Sequence, residues 1–198
     1  MRSVRKASWT QEATNVVDIY FTSDWHLSHE NIIRYSGRPF ANAREMDEAL
    51  VTLHNEIVRP HDHVYNLGDV TMLRGSGAHR LKPLLERLHG HQRLVLGNHD
   101  HCPAQWYLQF FEKVKAINVL DNILFTHIPI HQGSMGRFVA NVHGHTHEKP
   151  DYTPVVRIDT KTQAIELIPY VNVCVERTDY KPIHLDEVKR RIRLAKER

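Results

Sequence analysis

The sequence predicts an α+β protein in which β-sheets pack on one another with helices outside. Three observations carry this: helices and strands alternate through the first half, strands dominate the second half, and the composition is that of a globular protein. With 41% hydrophobic and 25% charged residues over 198 positions, one soluble domain spanning 1–198 is the economical organisation.

A polar stretch, 1–16, precedes the first strand, VVDIYFTS at 16–23, which is rich in β-branched and aromatic side chains. A helix follows over NAREMDEALVTLHNEIV (42–58). Met46, Leu50, Leu53 and Ile57 recur at helical spacing, Asn42 and Glu45 are placed for a capping box, and Pro60 lies just beyond the end. HVYNLGD (63–69) reads as a short strand running into a turn. RLKPLLERLHG (80–90) reads as a second amphipathic helix on Leu81, Leu84, Leu85 and Leu88, with Pro83 in its first turn and Gly90 closing it.

RLVLGNHD (93–100) is the next strand, then a short helix near AQWYLQFF, then the strands NILFTH (122–127) and ANVHGHTH (140–147). PVVRID, AIELIP and YVNVCVE are expected as antiparallel strands separated by turns. LDEVKRRIRLAKER, 185–198, is expected as an exposed, marginal basic helix or tail. No internal repeat or low-complexity linker interrupts the chain.

Composition narrows the partners. No segment has the apolar core of a secretory signal and none approaches a membrane span, so a cytoplasmic protein without a membrane partner is expected. Two cysteines, Cys102 and Cys174, are too few for a disulfide framework, and both are expected reduced. The net charge of +3 suits anionic ligands without requiring them. KRRIRLAKER at the C-terminus could contact nucleic acid, but a solvated helix face is the plainer reading. Histidine is the anomaly: there are sixteen, many beside Asp, Gly or Asn.

Five predicted strands end in metal-binding side chains. They are Asp24 and His26 in SDWH, Asp69 in LGD, Asn98 and His99 in GNHD, His127 in FTH, and His145 and His147 in GHTH. Singly, each motif is an ordinary turn or surface histidine. Together they point to one pocket, because loops at one edge of a sheet bring distant residues together. The set matches two divalent cations sharing Asp69, one carboxylate oxygen to each ion, about 3.5 to 4 Å apart. Asp24, His26 and His147 would complete one side; Asn98, His127 and His145 would complete the other. Mixed nitrogen and oxygen donors suit manganese, iron, zinc or nickel better than calcium. Mn2+ is the expected ion, with Fe, Zn, Ni or Mg as alternatives. Two such ions carry +4, the two carboxylates remove 2 and a hydroxide shared by the ions removes 1, leaving a site that attracts phosphate.

The blocks DxH, GD, GNHD, a later H and GHxH, in this order over roughly residues 18 to 175, resemble the calcineurin-like metallophosphoesterase superfamily. The resemblance implies a four-layer αββα sandwich of two mixed sheets flanked by helices, with the ligands divided as above. It also implies that His99 faces the substrate phosphate or leaving group, with Asp100 orienting its ring; the hydroxide shared by the ions is the expected nucleophile, since coordination lowers the pKa of water to around 7. SDWHLSHENIIRYSGRPF resembles, more narrowly, small bacterial and phage phosphoesterases of this superfamily. On that likeness His29, Asn31 and Arg38 border the substrate phosphate, Arg38 by paired hydrogen bonds; otherwise Asn31 caps a turn and Arg38 lies on the surface. GDVTMLRG departs from the GDxVDRG of protein serine/threonine phosphatases, with Arg74 one residue late, which argues against that branch.

The expected activity is hydrolysis of nucleotide or other small phosphodiesters, with phosphomonoesters as the alternative at the same site. A non-catalytic interaction module on this fold is the rival, but such a module would have lost ligands that all stand here. His61, His63, His79, His89, His91 and His184 are expected at the surface; His101 and His131 could lie close to the centre; His143 should point to the opposite strand face from Gly144. Cys102 is expected to be a small packing residue.

Overall fold

The computed structural model describes residues 16–158 and 162–197, so most of the polar 1–16 extension lies outside the described residues. β1 (Ile19–Thr22) lies inside the segment expected for it, and α1 (Glu30–Tyr35) is a short helix in the loop that follows. α2 (Ala43–Ile57) is capped as expected: Asn42 Oδ1 accepts the Glu45 N–H at 2.9 Å. Its buried face carries Met46, Asp47, Leu50, Val51 and His54, so the inward stripe runs slightly to one side of Leu53 and Ile57.

β2 (His63–Asn66) pairs in parallel with β1. The amphipathic helix expected over 80–90 is only one turn long, α3 (Lys82–Leu85), preceded by a 3-10 segment at 75–81. Pro83 lacks an N–H and sits at the start of that turn, and Gly90 at φ +88 reverses the chain soon after, while Leu81 and Leu85 are still buried. β3 (His91–Val95), α4 (Ala104–Tyr107) and β4 (Lys113–Lys115) complete this half. β5 (Asn118–Leu120), like β4, was not anticipated, since three-residue strands leave almost no periodic trace.

β6 (Ile123–Thr126), β7 (Ala140–His143), β8 (Val155–Ile158), β9 (Ile165–Ile168), β10 (Tyr170–Asn172) and β11 (Ile183–His184) follow, and α5 (Leu185–Lys196) ends the fold. One five-stranded sheet has the order β11-β1-β2-β3-β4 and one four-stranded sheet the order β10-β7-β6-β5. Both are mixed: β11 is antiparallel to β1, and β5 to β6, while the other neighbours run parallel. β10 was expected antiparallel. It instead runs parallel to β7, because the β8–β9 hairpin carries the chain back before β10 enters the sheet.

The sheets pack face to face through Phe21, Leu67 and Val95 on one side and Phe125, Val142 and Val171 on the other. Helices cover the outer face of the first sheet through Met46, Leu50, Leu85 and Tyr107. Met135, Ile168 and Tyr170 form a smaller cluster on the outer face of the second. α5 is not a frayed tail. Val188 is fully buried and Ile192 is 7% exposed, and both join the core between the sheets. Among the described residues no helix is long and apolar enough to cross a membrane.

Candidate metal centre

β1, β2, β3, β6 and β7 run into the loops that carry the charged and imidazole side chains. The loop after β1 continues its pairing with the loop after β2: Asp24, His26 and Leu27 donate backbone N–H groups to the carbonyls of Gly68, Asp69 and Val70 at 2.8–2.9 Å. To do so, the chain adopts a left-handed backbone at Asp24, His26 and Ser28 (φ 60, 50 and 60), and again at Asp69, His145 and His147 (φ 55, 69 and 50). Ordinary side chains avoid this region, and its concentration at one place marks a geometry imposed by the surrounding fold.

Glycines allow the loops to interleave. A Cβ on Gly97 would fall 2.1 Å from Asp69 Oδ1, so only a bare backbone lets that carboxylate lie against the GNHD turn. Asp100 staples the same turn. Its carboxylate accepts N–H groups of Gly97, Asp69 and Val70 at 2.8–2.9 Å and the Tyr107 hydroxyl at 3.2 Å. This corrects the expected role of Asp100. Its oxygens are engaged by backbone donors, so it holds the GD and GNHD loops together and makes no contact that would orient the His99 ring.

Two clusters result, Asp24 with His26 and His147, and Asp69 with His127 and His145, each with donor atoms within 4.8 Å of one another. Asn98 belongs beside the second, its Oδ1 2.9 Å from His127 Nε2. Asp69 Oδ2 stands 3.5 Å from His26 Nε2 and 3.3 Å from His127 Nε2, so it faces both clusters. Asp69 Oδ1 instead accepts the His99 N–H at 2.8 Å. One oxygen, not two, is therefore turned toward the pair of clusters, which revises the expected division of the carboxylate.

The donor chemistry fits cations. Asp24 Oδ1 and both ring nitrogens of His26 are buried without a hydrogen-bond partner among the described residues, an expensive condition unless something else engages them. Burial holds the His26 imidazole down at about 2 and therefore neutral, as a ligand must be. Burial alone would raise the Asp69 carboxyl, yet the His127 hydrogen bond and charge outweigh it and bring it to about 2. His127 is buried too, but its hydrogen bond to Asp69 and the charges of Asp24 and Asp69 lift its imidazole to about 9.

The tautomers are fixed from behind. His127 Nδ1 donates to the Leu67 carbonyl at 2.8 Å and His147 Nδ1 to Glu176 at 3.0 Å, turning each Nε2 toward the centre. Asp24 Oδ2 accepts from Ser23 Oγ, the His145 N–H and the Cys174 thiol at 2.5, 2.9 and 3.1 Å. Sequence reasoning missed Glu176 and Cys174, since neither belongs to a motif; only the bridge between Ser23 and Cys174, which joins the two sheets, brings them here.

Arg38 does not border the substrate. It is buried, and its guanidinium is used by Glu176 and by the carbonyls of Asp24 and Trp25, so it lies beneath the ligand loop instead of facing the cleft. The cleft above the clusters encloses about 550 Å³, and its walls include His29, Asn31, Tyr35, His99 and Lys149. His99 and His29 thus line the opening. His101 pairs with Arg74 at 2.9 Å, whereas His131 caps a separate turn and His143 is buried outside the centre.

The sequence profile of the calcineurin-like phosphoesterase family matches residues 17–170. An uncharacterised protein of Methanocaldococcus jannaschii is 33% identical over 180 residues, covering 90% of this chain and 93% of its own. The crystal structure of a protein of unknown function from Aquifex aeolicus superposes with a TM-score of 0.61 at 25% identity, over 88% of this chain and 99% of that one. Two mixed sheets, two Asp/His clusters at their loop edge and a family match across most of the chain agree: the protein belongs to the calcineurin-like phosphoesterase family.

Proposed function

We propose that the protein is a dinuclear metal-dependent phosphodiesterase acting on nucleotide or other small phosphodiesters. The observation that carries the reading is Asp69 Oδ2, set between His26 Nε2 and His127 Nε2 at 3.5 and 3.3 Å. Asp24, His26 and His147 would hold one ion, and Asn98, His127 and His145 the other, with Asp69 common to both. The nitrogen and oxygen donor set favours Mn2+, with Fe, Zn, Ni or Mg as alternatives. When bound, two such ions supply Lewis-acid charge for the phosphoryl oxygens and lower the pKa of water from about 15.7 to around 7.

The chain's own residues do the rest. His99 lines the cleft, its ring 5.5 Å from that of His26, where it can donate a proton or hydrogen bond to a departing alkoxide. His29 and Asn31, which line the same cleft, offer polar groups to the substrate, and Lys149 adds positive charge there. Tyr35, 68% exposed beside Ile32 and Met72, offers a flat face for a base, which supports a nucleotide substrate.

The test is turnover on bis(p-nitrophenyl) phosphate against p-nitrophenyl phosphate with manganese. A preference for the diester is expected. Preference for the monoester would make the protein a phosphomonoesterase, and a folded protein loaded with manganese that cleaves neither would refute the reading.

A further inference from the structure

Glu176 Oε1 accepts Arg38 Nε and Nη2 at 2.9 and 2.6 Å and His147 Nδ1 at 3.0 Å. The carboxylate side chain is 3% exposed and the guanidinium fully buried. Arg38 also donates to Asp24 O at 2.7 Å and Trp25 O at 2.9 Å. One ion pair therefore holds the backbone of Asp24 and the ring of His147, two donors of the same cluster. Among the described residues the other cluster has no such ion pair: Asp100 holds the backbone of Asp69, but behind the His127 ring stands the neutral Leu67 carbonyl, at 2.8 Å.

Desolvating two charges is costly, and the cost is best recovered when every hydrogen bond is made. Here Glu176 Oε2 has no partner among the described residues, so the pair is not arranged for stability alone. Its other oxygen collects all three donors. A carboxylate behind a ligating imidazole fixes the ring and raises its basicity more than a neutral carbonyl does.

Resting on the dinuclear reading above, we propose that Glu176 and Arg38 are positioning residues that make the two cation sites unequal, the Asp24–His26–His147 site being the tighter because Glu176 acts through His147. His147 Nε2 faces Asp24 Oδ1 at 3.7 Å while Nδ1 of the same ring is held by Glu176 at 3.0 Å.

The experiment titrates manganese into metal-stripped full-length protein against a competing chelator and counts the ions retained after dialysis. The wild type is expected to bind two ions with two resolved affinities. Glu176→Gln should weaken the tighter step by about 10- to 100-fold and leave the weaker one in place. Asn98→Ala should do the reverse, weakening the looser step and keeping the tight ion, which assigns each step to its cluster. The double variant Glu176→Gln/Arg38→Gln removes both buried charges together and guards against misfolding; its melting temperature should exceed that of Glu176→Gln while the tight step stays weakened. Equal weakening of both steps, no change in either, or recovery of affinity in the double variant would overturn the proposal. A wild type that binds no ion would instead refute the dinuclear reading.

Discussion

Gly144 and Asp24 stand so close that a Cβ on the glycine would lie 2.4 Å from Asp24 Oδ2 and 2.0 Å from Ser23 Oγ. These residues belong to the DxH and GHxH blocks, and their contact is where the two sheets meet. Gly144→Ala should force Asp24 aside, costing about 1–3 kcal/mol of stability and lowering occupancy of the Asp24 site more than that of the Asp69 site. Thermal melts and metal content of the purified variant check this; unchanged metal content would show that Asp24 has room to move.

Asp69→Asn separates shape from charge. The amide oxygen can still accept the His99 N–H, bonded at 2.8 Å in the parent, but the group facing His26 and His127 becomes a neutral donor. The variant should fold, with an unaltered circular dichroism spectrum, and lose more than about a hundredfold in turnover with manganese, since even residues behind a ligand are worth 10- to 100-fold.

His54 gives the fold an acid weakness. Burial holds its imidazole down at about 4 despite the hydrogen bond to His89 O, against 6.5 for a free histidine. The unfolded chain therefore takes up the proton first as pH falls. Stability is full above pH 6.5, declines by about 3 kcal/mol toward pH 4 on account of this residue, and is flat below. Urea denaturation of metal-stripped protein at pH 7.5 and 4.5 should show a smaller loss for His54→Gln than for the wild type; identical losses would assign the acid sensitivity to other groups.

The C-terminal helix is a structural part of the sandwich. Ile192→Ala should cost about 2–5 kcal/mol, read from urea midpoints, because Ile192 fills the core between the sheets. Arg193 and Lys196 lie on the exposed side of α5, so Arg193→Glu/Lys196→Glu should leave hydrolysis of small diesters unchanged. A loss confined to nucleic-acid substrates, steep with salt, would give the basic face a binding role.

Much of this architecture was legible in the sequence because it rests on local signals. β-branched runs announced β1, β6 and β7, and Asn42 with Glu45 announced the start of α2. The Asp, Asn and His residues were legible because five strand ends carried them in a recognisable order. What stayed hidden depends on tertiary placement. Arg38 and Glu176 are 138 residues apart, and nothing local marks either as a member of a buried pair. Asp100 sits in GNHD and so invited a role beside His99, but its acceptors are taken by backbone N–H groups from two loops, a matter of folding that adjacency cannot reveal. β10 was misoriented for a similar reason: direction within a sheet is decided by the path of the connection, and hydrophobic pattern is silent on it.

The backbone at Asp24, His26, Asp69, His145 and His147 is held where side-chain-bearing residues seldom rest. Each such residue costs on the order of 1–3 kcal/mol, a charge met once, when the chain folds. Capture of a cation then needs no rebuilding of the polypeptide. Metal-stripped and manganese-loaded protein should therefore be resistant to protease at the same peptide bonds, like a vessel finished before it is filled.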